Sequence, residues 1–135
     1  MKNILLVATF LFCGLVFAHE GHDHDAPGLV QAPKGGIIKS TEDVHIEVVA
    51  KGKDVKVYFY SQDLKPLDLT TYKVGLKAEI PRTKKSEVLA QKVTANLVEA
   101  QFDAKGAHRY VLTVSVAGEK HGHEDKLNFN IEPRK

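Results

Sequence analysis

The chain has 135 residues, 43% hydrophobic and 27% charged, with 19 Lys and Arg against 17 Asp and Glu. That is the size of one ordinary domain. The scattered, nearly balanced charge, without a basic face interleaved with aromatics, argues against nucleic acid as a partner.

The first eighteen residues have the three parts of a secretory signal peptide. Lys2 supplies the positive end, Ile4 to Phe17 is an apolar run, and Val16-Phe17-Ala18 offers small residues at the −3 and −1 cleavage positions. The run, about 14 residues, falls short of the about 20 that a membrane span needs. Phe12 before Cys13 departs from the bacterial lipoprotein pattern, so no membrane anchor is expected after cleavage. Removing 18 of 135 residues leaves 117 and takes away the only Cys and the only Met, Cys13 and Met1. No disulfide then supports the fold, and sulfur ligands for Cu(I) or a Cys-type structural zinc are absent. Residues 1–18 are thus read as signal peptide, 19–35 as a His/Asp-rich leader and linker, and 36–135 as the folded domain.

Asp25 to Gly36 contains two prolines and three glycines and reads as a linker, with Leu29-Val30 as a candidate docking strand. Beyond it, short alternating segments are separated by turn residues. Val44, Ile46 and Val48 alternate with His45, Glu47 and Val49, which predicts a strand with one face inward. Lys51-Gly52-Lys53-Asp54 predicts a hairpin turn into a strand over 55–60, and 61–66 another turn. Further strands are predicted over 72–80, 87–91, 97–102, 107–116 and 127–131. The basic run Arg82-Thr83-Lys84-Lys85 reads as a solvated turn.

Strands at this spacing predict an all-β fold, a small antiparallel immunoglobulin-like β-sandwich of about seven strands. Tyr110 follows a loop with Asp103 and Gly106 and opens a strong strand. It is either the tyrosine that ties its hydroxyl to backbone at the corner of such a domain or a core aromatic. In both readings Tyr110, Leu112, Val114 and Val116 face the core.

Cleavage after Ala18 would make His19 the N-terminus, with His22 and His24 close behind and Glu20, Asp23 and Asp25 between and after them. The terminal amine and imidazole of His19 can chelate together, and the other side chains add donors. A tail that folds round an ion loses conformational entropy, which limits affinity. A second cluster is His121-Gly122-His123-Glu124-Asp125, expected in the turn before the last strand. Residues i and i+2 of extended backbone point to one side, about 7 Å apart, so His121 and His123 can converge on one ion. Glu124 or Asp125 could serve as a third ligand or hold a ring N–H. These donors suit Zn(II), Cu(II), Ni(II) or Co(II). His45 is expected exposed on a strand face, and His108, in phase with Tyr110, partly buried with an ordinary hydrogen bond.

Enzymatic activity is not expected. No nucleophile motif, no HExxH and no phosphate-cradling glycine loop is present. Two binding readings follow: metal capture, or an immunoglobulin-like protein-interaction module in which the histidines are incidental. A pH-responsive module using the same histidines is a third.

The order of features resembles a group of small bacterial periplasmic proteins associated with heavy-metal efflux. The resemblance is carried by the signal-type segment, the His/Asp leader, Ala32-Pro33-Lys34-Gly35-Gly36, the alternating strand from His45 to Val49, the Lys-Gly turns and Asp103 to Tyr110. Similar segments form the extracytoplasmic N-terminal part of adaptor subunits of resistance-nodulation-division metal pumps. The likeness covers most of residues 19–133 and lacks the adaptor's hairpin and barrel regions, so it implies a stand-alone protein. It implies metal capture or buffering in the periplasm with hand-over to efflux-pump components. His19, His22 and His24 are its implied ligands, with His121 and His123 beside them.

Overall fold

Alternation of side chains along the strands builds the molecule. The structure is a computed structural model that describes residues 30–118 and 122–133. Nine strands form among them: β1 (Ile37–Ser40), β2 (Val44–Lys51), β3 (Asp54–Ser61), β4 (Tyr72–Ile80), β5 (Lys85–Val88), β6 (Gln91–Thr94), β7 (Leu97–Gln101), β8 (Tyr110–Gly118) and β9 (Glu124–Ile131). A single 3₁₀ turn, Leu69–Thr71, precedes β4. The strands make two antiparallel sheets, one in the order β1-β2-β3-β7-β6 and the other β5-β4-β8-β9.

Each sheet turns one set of alternate residues inward. Val44, Ile46 and Val48 of β2 and Val55, Val57 and Phe59 of β3 meet Leu112, Val114 and Val116 of β8 and Phe129 and Ile131 of β9 in one cluster. Burying a side chain of this size fully is worth about 1.5–3 kcal/mol, so this layer dominates stability without any cross-link. The first hairpin agrees with the pattern read from the sequence, with Lys51 paired to Asp54 across the Gly52-Lys53 turn.

Four expectations need correction. The strand over 87–91 divides in two. Leu89 plunges into the core and its N–H bonds to the Leu76 carbonyl at 2.9 Å, so β5 stays in one sheet and β6 joins the other. The Gln91 amide then reaches back to the Val74 carbonyl at 2.6 Å, which ties the sheets at the crossing. Strand β1 is a second departure. Ile37 and Ile38 give no alternation, yet they pair with Val48 and Glu47 as an edge strand, whereas Val30 lies in no strand. Third, β8 starts at Tyr110, three residues later than read, because Lys105 and Gly106 at φ 47° and 78° form a turn closed by the Ala107 N–H on the Ala104 carbonyl at 2.9 Å. Fourth, β9 starts at Glu124, so Glu124 and Asp125 belong to the strand and not to the turn before it.

Tyr110 is a core aromatic. It is 1% exposed, its ring lies 4.7 Å from that of Phe102, and its hydroxyl has no hydrogen-bond partner among the described residues. The backbone tie of a tyrosine corner is therefore not made. Burial alone pushes the phenol up to about 12.

The strand directions define two ends. The β1–β2 turn, the β3–β4 connection and the approach to β9 share one end. The β2–β3 turn, the β4–β5 turn and the β7–β8 loop share the other.

Candidate functional site

Of the five candidate metal ligands, His19, His22, His24 and His121 lie outside the described residues. His123 is exposed immediately before β9, next to Gly122. It stands at the rim of a cleft of about 900 Å³ at its end of the sandwich, with Glu42 and Asp43 of the β1–β2 turn, Asp63 beyond β3, and Asp125 and Lys126 of β9. Lys126 is paired with Glu124 at 3.1 Å, as i and i+2 on one strand face permit. The charged part of the lining is thus four carboxylates and one lysine, with one imidazole, among uncharged side chains such as Ser40, Gln62, Leu67 and Tyr72. Among the described residues no three His, Cys, Asp or Glu side chains come close enough to hold an ion.

The stem that leads from the leader into β1 is fixed elsewhere. Glu47 points to the outer side of β2, where alternation predicts solvent, yet it is 0% exposed. Its Oε1 accepts the N–H groups of Lys34 at 2.9 Å and Gly36 at 2.8 Å, and its Oε2 accepts the Tyr60 hydroxyl at 3.0 Å. Gly35, at φ 73°, lets these two N–H groups converge, the backbone nest that binds an anion. Gly36 fits only without a side chain: a Cβ there would meet the Val48 carbonyl oxygen at 2.3 Å. The Lys34 ammonium lies 5.7 Å from the centre of the Tyr58 ring. Burial first, then the Glu47 bond, hold the Tyr60 phenol well above its usual range.

His45 corrects its expectation. It is 6% exposed, with Nδ1 2.6 Å from the Ser40 hydroxyl and Nε2 3.2 Å from the Gln62 carbonyl. That carbonyl only accepts, so Nε2 carries a proton there, and in the neutral ring Nδ1 accepts from Ser40. Both nitrogens are occupied in tying β1 and the β3–β4 connection to β2, which leaves no lone pair free for an ion. His108, expected partly buried, is exposed in the β7–β8 loop because the turn at Lys105-Gly106 carries it out of phase with β8.

Sequence reasoning missed Glu47 and His45 as buried polar groups. A signal existed: Lys34-Gly35-Gly36 offers unencumbered backbone N–H groups, and Glu47 is the one acid in a strand otherwise apolar but for His45 and the terminal Lys51.

The stem enters level with Val48, while His123 sits at the end where β2 begins. Ten residues separate His24 from Lys34, a reach of up to about 35 Å, against about 26 Å for the length of β2. A shared ion between leader and His123 is within reach without being imposed by the fold. Among the described residues no helix is long and apolar enough to cross a membrane. Comparison with protein-family models, with curated proteins and with solved structures finds no match.

Proposed function

We propose that this is an exported, non-enzymatic binder of a divalent transition-metal ion, Zn(II), Cu(II), Ni(II) or Co(II), working in the periplasm or outside the cell. His19, His22 and His24 hold the ion, with His121 and His123 as further ligands. The role is buffering or hand-over to the periplasmic components of an efflux pump. The observation that carries this reading is the run His19 to Asp25, three imidazoles and three carboxylates in seven residues directly after a signal-type segment. The donor set supports it, since imidazole and carboxylate suit these ions and bind them labilely enough for transfer. His123 adds an exposed imidazole to a cleft that also holds Glu42, Asp43, Asp63 and Asp125, with no partner among the described residues.

For the body of the chain we infer an immunoglobulin-like arrangement. The strand order supports it: β2, β3, β7 and β6 in one sheet, β5, β4, β8 and β9 in the other, with successive hairpins crossing between them.

Calorimetric titration of the four ions into the chain beginning at His19, beside one beginning at Ala26, tests the metal reading. Tight binding that vanishes with the leader is expected. Binding retained without the leader moves the site to His121 and His123. No binding to either chain leaves the second reading, a protein-interaction module, in front. That reading is favoured by Val88 and Val93, 78% and 49% exposed on the edge strands β5 and β6. Acid separates the two readings as well: imidazole ligands release the ion near or below about pH 6 as they protonate, whereas a sheet-edge contact need not weaken.

A further inference from the structure

The end of the sandwich opposite His123 gathers positive charge. The pairing of Glu79 with Val111 brings the β4–β5 turn level with the residues that enter β8. Arg82 from that turn and His108 and Arg109 from the loop line one cleft of about 360 Å³, together with Ile80, Pro81 and the Gly106-Ala107 turn. No acid lines it. Lys84 in the β4–β5 turn, Lys85 at the start of β5 and Lys105 in the β7–β8 loop flank it in sequence, all exposed.

Three lysines have acidic partners, Lys53 with Asp103 at 2.8 Å, Lys56 with Glu99 at 3.8 Å and Lys126 with Glu124, and the other described lysines have none among the described residues. Arg82 and Arg109 have no ion pair among the described residues, although Glu132 follows the Ile131 that pairs with Tyr110. Two arginines lining one cleft with no acid among its described lining residues make it a favourable place for an anion. A guanidinium presents a planar fork of donors that matches the oxygens of a phosphate two at a time. The imidazole of His108 can donate to a third oxygen.

We propose that Arg82, His108 and Arg109 form a binding cleft for a phosphate-class oxyanion, distinct from the metal ligands and at the other end of the fold. The group could arrive as free phosphate or on a lipid headgroup, since the recognising chemistry is the same.

The test is titration of inorganic phosphate into isotope-labelled protein, read from backbone amide shifts. Sedimentation with vesicles of phosphatidylcholine, alone or mixed with phosphatidylglycerol, runs beside it. Saturable shifts at Arg82, Thr83 and Gly106 to Arg109 are expected. The double variant R82Q/R109Q should weaken binding by roughly a hundredfold, since each of the two charged hydrogen-bonding groups lost is worth about tenfold. Both side chains are exposed, so the urea midpoint of the variant should stay unchanged, and K73Q at the other end serves as control. Phosphate binding without selective pelleting supports a free ligand. Pelleting only with phosphatidylglycerol, lost in R82Q/R109Q, supports a headgroup. Absence of saturable shifts together with absence of variant-sensitive pelleting, or equal binding by R82Q/R109Q, overturns the proposal.

Discussion

Strands β2 and β8 obey the same alternation in sequence and end in different surroundings. In β8 every second residue is buried and the residues between are half-buried, the ordinary state of a sheet with one wet face. In β2 the first five residues are all buried, including His45 and Glu47 on the outer side. The difference does not lie in the strands. Residues 34–36 and the β3–β4 connection bring donors and acceptors to the outer side of β2, and β1, paired beside it, adds the Ser40 hydroxyl, while the Thr113 hydroxyl on β8 donates to the Asn128 side chain at 2.8 Å. Alternation therefore reports which face meets the core, and chain from elsewhere decides whether the other face meets water.

Substitution at Glu47 should break this contrast most strongly. Glu47→Ala leaves two backbone N–H groups and the Tyr60 hydroxyl without an acceptor and should destabilise by about 3 kcal/mol in urea unfolding. A loss under about 0.5 kcal/mol would mean that water replaces the carboxylate freely and that the face is not closed.

Alkaline pH probes the same region and the core together. The folded-state values of Tyr60 and Tyr110 are raised above the ordinary value of about 10. Stability from their neutral hydroxyls is therefore complete below about pH 10 and is lost as the pH rises through the folded-state values, about 12 for Tyr110. Urea midpoints measured across that window should fall, with tyrosinate absorbance for these two rings appearing only as the protein unfolds. Tyr60→Phe should remove part of the alkaline loss.

Tyr110→Phe is expected to be neutral or stabilising by up to about 1 kcal/mol, because it removes a buried hydroxyl that has no partner. A tyrosine tied to backbone would instead lose stability by a similar amount. The smallest effect belongs to the wet face: Thr113→Ala should change the urea midpoint by less than about 0.5 kcal/mol.

The core was legible wherever strict alternation met branched or aromatic residues. Tyr110, Leu112, Val114 and Val116 face inward as their spacing requires, and β2 and β3 pair through the Gly52-Lys53 turn. Less legible was anything decided by distant chain. Leu89 looks like the middle of an ordinary strand until Leu76 supplies the carbonyl that draws it across. Glu47 looks exposed until Lys34 and Gly36 arrive thirteen and eleven residues away in sequence. The one candidate ligand within the described residues, His123, is exposed immediately before β9. The cationic cleft was not legible because Arg82 and Arg109 are far apart in the chain and come to line one cleft only through the pairing of β4 with β8.

The crossing at Leu89 and Ala90 has a consequence for how the protein opens. Ten consecutive residues, 85–94, form the border of one sheet and then of the other, with Leu89 as their shared peg in the core. Neither border can peel away while the peg holds, and once it leaves, both are released. Amide hydrogens of β5 and β6 should accordingly exchange with solvent as one cooperative unit, although they belong to different ladders. The two sheets thereby share a single unfolding event rather than two.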